Sequence, residues 1–420
     1  MPIRTLLMLI AGSFGVPLHA AAPDADRAWV LGGAKVYPAP DAAPIEDGVV
    51  VVRAGRIAAV GGREAVSIPA GARESECGGG FVVAGFQNSH VHFTGAEFAG
   101  AATAPAARLQ QALTGMLTQH GFTTVVDTGS DRDNTLALRA RIERGELLGP
   151  RILTVGNPLF PVDGIPAYLA DYPKELLDRM PQPATPSDAV AVVRDNLEAG
   201  ADGTKLFVAT PQADGSIRRM AGPIARGAAD ETHRHDKLAM AHPTDVEGIR
   251  TALDAGVDVL VHTTLGVESA WPEPLVRQLV EHDVSLVPTL KLWHYELDKE
   301  SPPDAIRQRL VEATFAQLRG FAAAGGQILF GTDVGYMSDA DPADEFALMA
   351  DAGLTPMQIL ESLTTAPAAR WNESDRRGRL DAGLAADIVV LGADPIADPA
   401  AFAEVRCTFR DGVRIDGGGR

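Results

Sequence analysis

Positive charge is what this chain is shortest of. Its 37 lysines and arginines face 55 aspartates and glutamates, a formal net charge of -18 at pH 7. Proteins that bind nucleic acid displace counterions with a positive surface, so nucleic acid is disfavoured as a partner. Cysteine is scarce too: Cys77 and Cys407 are the only two. They stand near opposite ends of the sequence, in segments expected to pair, and an exported protein could oxidise them. A disulfide and two separate buried thiols both fit at this point, because bridging depends on Cα geometry. Beyond the N-terminus, no apolar run is long enough to span a membrane. No dinucleotide-binding glycine loop accompanies the strand pattern described below.

The N-terminus does carry an apolar run. Arg4 is followed by Thr5 to Leu18, then by Ala20, Ala21 and Ala22. An early positive charge, a short apolar stretch and small residues behind it describe a secretory signal peptide over 1–22, cleaved near Ala20 to Ala22. The run is short for a membrane anchor, and no cysteine near the cleavage point offers a lipid attachment. The expected location is the periplasm or outside the cell, with no membrane association after cleavage.

With 420 residues, 46% hydrophobic and 22% charged, the chain is long enough for a barrel plus a smaller domain and has a soluble, globular composition. Its two ends share one pattern. Trp29-Val-Leu, Val49-Val-Val-Val and Arg56-Ile-Ala-Ala-Val near the start, and Ile388-Val-Val-Leu, Cys407-Thr-Phe and Val413-Arg-Ile near the finish, read as strands between tight turns. The middle alternates strand and helix patterns. Eight candidate strands run Phe81 to His92, Thr123 to Asp127, Arg151 to Val155, Gly203 to Val208, Leu238 to His242, Val257 to Thr263, Val284 to Leu290 and Gln327 to Asp333. Amphipathic stretches such as Ala106 to Gln119, Ser187 to Ala199, Val246 to Ala255 and Ala305 to Ala323 lie between them. The expected fold is α/β: a (β/α)₈ TIM barrel over 80–374, with a small β-sandwich domain formed by 27–79 and 375–420. An open doubly wound sheet fits eight repeats less well.

Active sites of such barrels sit at the C-terminal ends of the strands. The first strand ends Asn88-Ser89-His90-Val91-His92, and residues i and i+2 of a strand point the same way, so both imidazoles can reach one cation. Two ordinary histidines on one face are the bland alternative. Lys205 lies inside an apolar strand, where a cation is costly to bury without a partner or a modification. His242 and His262 each close an apolar strand, and Asp333 ends the last strand beside Gly331 and Gly335. Singly these read as hydrogen-bonded core histidines and a capping aspartate. Together they place nitrogen and carboxylate donors around one barrel mouth, a set that suits Zn²⁺ and related metals.

Other histidines read differently. His233 and His235 form a second His-x-His, but on a predicted helix, where i and i+2 point to nearly opposite faces. His120 and His282 sit at predicted helix C-termini, where they suit the dipole. His294, expected in the loop after strand seven, is on the correct face to touch a substrate.

The pattern resembles the amidohydrolase superfamily over nearly the whole chain after residue 22, and within it the imidazolonepropionase-like and prolidase-like branch. The resemblance is carried by the Ala84-Gly85 turn before His90-Val91-His92, by Gly200-Ala-Asp-Gly-Thr-Lys205, by Ala241-His242 and Val261-His262, and by Gly331-Thr-Asp333. The tail Gly378-Arg-Leu-Asp-Ala-Gly383 with Asp387-Ile-Val-Val is similar to the segment that returns the chain to the β domain. It implies two divalent ions, Zn²⁺ by preference. His90, His92 and Asp333 would hold one, His242 and His262 the other, and Lys205, carboxylated by CO₂, would bridge them. Asp333 would also take the proton of the attacking water. One departure stands out. Many relatives that cleave amides carry Gly-Gly-His after strand three; here Val155-Gly156-Asn157-Pro158 opens a Pro-rich loop with no histidine. Asn157, and Tyr168 further along that loop, become candidate substrate contacts.

Three functions are in view. The first is hydrolysis of an amide or peptide-like C–N bond of a small molecule by a two-metal site. The second is a one-metal deaminase or a ring-opening hydrolase of cyclic amides or lactones; Lys205 and the Pro-Thr-Asp after His242 speak against it. The third is a periplasmic binding protein with a degenerate site, which the complete donor set speaks against. A homo-oligomer is left open.

Overall fold

The computed structural model describes residues 28–170, 172, 174–266 and 269–418. The signal-peptide expectation for 1–22 lies outside them. Among the described residues no helix is long and apolar enough to cross a membrane.

The strands of the two chain ends join in one mixed sheet. Its order is Val413–Arg414, Val405–Arg410, Ile388–Leu391, Phe81–Ala84, Trp29–Val36, Ile45–Arg53 and Arg56–Gly62, with Arg73–Glu74 paired separately to Trp29–Val36. The ends meet where Ile388 stands opposite Ala84 and Leu391 opposite Phe81. Alternation turns Leu31, Val50, Val82, Ile388 and Val390 into one apolar cluster and Val30, Val49 and Val51 into another. The sheet curls on itself. Trp29 and Phe409, from strands that are not neighbours, bring their rings to 4.7 Å, and Ile57 donates its N–H to Leu384 across the gap. Hydrogen bonding therefore draws one curled sheet where a two-sheet sandwich was expected. Short turns made the strands readable, but not how they close.

Cys77 and Cys407 form a disulfide, with Cα atoms 6.2 Å apart and 330 residues between them in sequence. It ties the stretch before Phe81 to the strand Val405–Arg410.

The expected first strand, Phe81 to His92, is two strands. Phe81–Ala84 belongs to the curled sheet, and Phe86–Val91 starts a parallel one. The chain crosses at Gly85, where a Cβ would lie 2.3 Å from the Thr123 hydroxyl and 3.0 Å from the Asp387 Cβ. Only glycine passes there.

Phe86–Val91, Phe122–Asp127 and Arg151–Thr154 form one parallel sheet. Gly203–Phe207, Leu238–His242, Val259–Val261 and Ser285–Val287 form a second. The Asp202 N–H, donating to the Thr154 carbonyl at 2.7 Å, links the two. Gln327 to Asp333 is not a continuous ladder. It exchanges single backbone bonds with Leu286 on one side, and receives Ser89 N–H and gives Asp333 N–H to the Phe86–Val91 strand on the other. Inside the strands, Val126, Leu153, Met240, Val259, Val261, Val287 and Leu329 pack as one cluster. Helices Pro186–Ala199, Val246–Ala255 and Asp304–Ala323 lie where the periodicity puts them. One helix, Leu290–Glu300, begins where a strand was expected to end. Its first N–H groups, on Leu290 and Lys291, donate to the buried carboxylate of Glu345, a cap supplied from far along the chain.

Cross-linking across so long a loop confines the unfolded chain. Reducing the disulfide, or making Cys77→Ser with Cys407→Ser, is expected to lower stability by roughly 2–4 kcal/mol. Urea unfolding with and without reductant measures this, and coincident midpoints would contradict it.

Candidate metal centre

Two elements from opposite ends of the parallel region build the core of the site. His90 is the penultimate residue of the strand Phe86–Val91 and His92 follows the strand; their Nε2 atoms lie 3.2 Å apart. Asp333 arrives on the Gln327–Asp333 segment, whose backbone N–H donates to the His90 carbonyl at 2.9 Å. That register brings Asp333 Oδ1 to 3.2 Å from His90 Nε2 and 3.0 Å from His92 Nε2. The close approach needs Gly331, where a Cβ would meet Val287 at 2.3 Å and the His90 Cβ at 2.9 Å.

The other predicted residues arrive from the second parallel sheet. Lys205 is central in Gly203–Phe207, His242 ends the neighbouring strand, and His262 follows Val259–Val261. The His262 ring lies 4.7 Å from that of His90 and 4.9 Å from that of His242, and its Nε2 is 4.0 Å from Asp333 Oδ2. His242 stacks on Phe207 at 5.0 Å. The structure thus brings all six together. His262 and Asp333 both take left-handed backbone conformations, φ 75° and 60°. For residues with a Cβ this is strain, of the sort concentrated where side-chain aim matters.

Residues that sequence reasoning passed over hold these groups in place. Asn88 accepts the His90 N–H through Oδ1 and donates through Nδ2 to the Thr332 hydroxyl at 2.8 Å. The Thr289 hydroxyl donates to the Pro288 carbonyl, so it accepts from His262 Nδ1 at 2.6 Å. This assignment leaves the His262 Nε2 lone pair facing the site. Buried Asp127 accepts from Ser130 Oγ at 2.6 Å and Thr154 Oγ1 at 3.0 Å, and Ser130 Oγ in turn accepts the Phe93 N–H, fixing the chain just beyond His92. Asp127 had a signal in the sequence, a carboxylate ending an apolar strand. Thr289 had none.

Burial sets the protonation states. It pushes His90 down to about 4, His242 to about 3 and His262 well below the ordinary imidazole range, so all three are neutral at pH 7. Burial also lowers Lys205 to about 7, against the attraction of Asp333 and Asp127. Burial opposes ionisation of Asp333, but His90 and His92 outweigh it and hold the carboxyl well below its usual range.

These residues fit a divalent ion. His90, His92 and Asp333 each offer one donor atom, all within 4.8 Å of one another. Asp333 Oδ1 is buried with no hydrogen-bond donor, although two imidazole nitrogens face it. Neutral imidazoles and an ionised carboxylate are the ligand forms zinc takes. Lys205 Nζ, with no hydrogen bond or ion pair among the described residues, lies 5.1 Å from the Phe207 ring centroid.

A cavity of about 950 Å³ opens above the six residues, and Asn157 and Tyr168 line it. His294 does not. It lies on the helix Leu290–Glu300, not in a loop, and that helix turns Leu292, Trp293, Glu296 and Glu300 to the cavity. His294 sits off this stripe and is half-buried. The other His-x-His stays outside the cavity: half-exposed His233, on the helix Gly222–Arg234, pairs with Asp258, and His235, just past that helix, pairs with buried Glu231.

Residues 81–415 match the model of the Amidohydrolase family. Ochratoxinase of Aspergillus niger is 25% identical over 186 residues, 42% of this chain; the match spans 36% of the ochratoxinase's length. A Xaa-Pro dipeptidase crystal structure with bound methionine superposes with a TM-score of 0.77 at 21% identity, over 92% of this chain and 99% of that one. A putative prolidase from Bifidobacterium longum superposes at 0.76 with 25% identity, over 93% and 94%.

Thr289→Val removes the acceptor that orients His262. Zinc affinity, titrated against a competing chelator, is expected to fall about 10–100-fold. An unchanged affinity would show that Thr289 does not set the imidazole's aim.

Proposed function

The chain belongs to the amidohydrolase family, and from that membership we propose that it is a metal-dependent hydrolase cleaving an amide or peptide-like C–N bond of a small molecule. In this reading the two parallel sheets and the Gln327–Asp333 segment are one (β/α)₈ barrel with its site at the C-terminal strand ends. The barrel domain covers 80–374, its first strand starting after Gly85. Residues 27–79 and 375–420 make the second domain, and 1–22 direct export. The Cys77–Cys407 disulfide suits an oxidising compartment.

The observation that carries the proposal is Asp333 Oδ1, buried without a donor between His90 Nε2 and His92 Nε2. His90, His92 and Asp333 would hold one divalent ion, Zn²⁺ by donor type, and His242 and His262 a second. Lys205 would bridge them after carboxylation. Its lowered pKa leaves a neutral amine fraction near pH 7. Nζ bonds to the carbon of CO₂ and loses a proton, converting a stranded cation into an anionic oxygen donor. Bound ions of this kind lower the pKa of water and polarise a carbonyl. Asp333, held ionised, accepts the proton of the attacking water and passes it to the leaving nitrogen. Asn157 lines the cavity; its Oδ1 accepts the Arg132 N–H at 3.3 Å, and its Nδ2 can meet the substrate carbonyl.

A second reading rests on the compactness of His90, His92 and Asp333, which alone make a three-residue site for one ion. Metal content separates the two. Protein loaded with zinc and bicarbonate is expected to hold two equivalents by plasma mass spectrometry and to hydrolyse members of an amide, lactam and lactone panel. Lys205→Ala is expected to lose at least one equivalent and most activity. One equivalent in both proteins would favour the mononuclear reading, and no bound metal in either would sink both.

A further inference from the structure

The cavity over the site is strongly apolar on one hand and acidic on the other. Phe93, Phe160, Tyr168, Phe207, Trp293 and Tyr336 line it. Three of the chain's five tyrosines are in its wall, in a protein with only 5% aromatic residues. A volume of about 950 Å³ lies at the upper end of small-molecule sites. Such a wall fits a substrate with an aromatic or other bulky apolar group.

The charges tell what else that substrate carries. Besides Asp333, the lining holds the carboxylates of Asp131, Asp245, Glu296 and Glu300; its lysines and arginines are Lys205, in the metal site, and Arg179. Arg179, itself exposed, pairs with Asp131 at 3.1 Å. The cations behind the wall are paired too. Arg219 grips both oxygens of Asp245, at 3.0 and 2.6 Å, and Lys299 donates to Glu296 at 2.8 Å. Glu296 also accepts from the Tyr336 hydroxyl at 2.9 Å. Strand alternation turns Arg218 to the face opposite Ile217 and Arg219. Glu300 is exposed and has no ion pair among the described residues. Among the described residues, then, each cation at the wall outside the six clustered residues has its own carboxylate, and one carboxylate, Glu300, is left over.

A dipeptide or an N-acyl amino acid brings a free carboxylate beside the scissile bond. Recognition of such a group uses an available arginine or lysine. Here it would have to break an existing ion pair and enter beside surplus negative charge. We infer that this site takes amides that are neutral or cationic on the leaving-group side and carry an aromatic group, and that it discriminates against substrates with a free carboxylate there. The inference rests on the hydrolase reading but is tested separately from it.

Three matched probes decide it: N-benzoyl-phenethylamine, its carboxylate analogue N-benzoyl-phenylalanine, and its aminomethyl analogue, which is cationic. Binding to zinc-loaded protein is read by calorimetry, and cleavage by release of benzoate. The neutral and cationic probes are expected to bind at least tenfold more tightly than the carboxylate. Glu300→Lys, an exposed change in the wall, is expected to narrow that gap at least threefold, because carboxylate binding improves more than neutral-probe binding; an unchanged gap would overturn the role given to Glu300. Equal or tighter binding of the carboxylate to the unmodified protein overturns the inference, as does no measurable binding of any probe. Binding in the expected order without cleavage supports the charge selection and counts against the amide-hydrolase reading instead.

Discussion

Asp333 gives its backbone N–H to the His90 carbonyl, and the whole centre hangs on that bond. It fixes the register between the last segment of the parallel region and the first. The Asp333 carboxylate consequently stops against two imidazoles from a strand far away in sequence. A slip of one residue would send the side chain to the other face. The surroundings serve the same contact. Gly331 removes the Cβ that would hold the segments apart, and Asn88 bonds to both sides, through the His90 N–H and the Thr332 hydroxyl. The left-handed backbone at Asp333 is the cost of this aim.

Burial does two opposed things here. It strips protons from His90, His242 and His262, which makes them donors, and it brings Asp333 and Lys205 out of water, which is unfavourable for both. His90 and His92 outweigh that cost at Asp333, yet Oδ1 keeps no hydrogen bond. A cation bound between these groups offsets the desolvation that folding imposes, so metal binding and folding free energy are linked.

Much of the centre was legible because strand periodicity and strand ends are local properties. His90, His92, Lys205, His242, His262 and Asp333 each sit at or near the end of an apolar stretch, and parallel strands bring such ends together. What was not legible depended on contacts between distant segments. Phe81 to His92 reads as one apolar strand, and only the clash at Gly85 with Thr123 and Asp387 divides it. The helix Leu290–Glu300 starts on a carboxylate from Glu345, which no local pattern announces, and His294 went with it. Thr289 became a partner of His262 through that same helix start. The curled terminal sheet and its disulfide likewise follow from closure across 330 residues.

Phe81–Ala84 lies between Trp29–Val36 on one side and Ile388–Leu391 on the other. The second neighbour is synthesised long after the first two. Until it emerges, a Phe-Val-Val-Ala strand presents an open hydrogen-bonding edge, the kind of surface on which chains pair with one another. That edge stays uncovered for as long as Ile388–Leu391 is missing from its place in the sheet. A chain truncated ahead of Ile388 would keep all six clustered side chains from His90 to Asp333 and still be left with an uncovered, aggregation-competent edge.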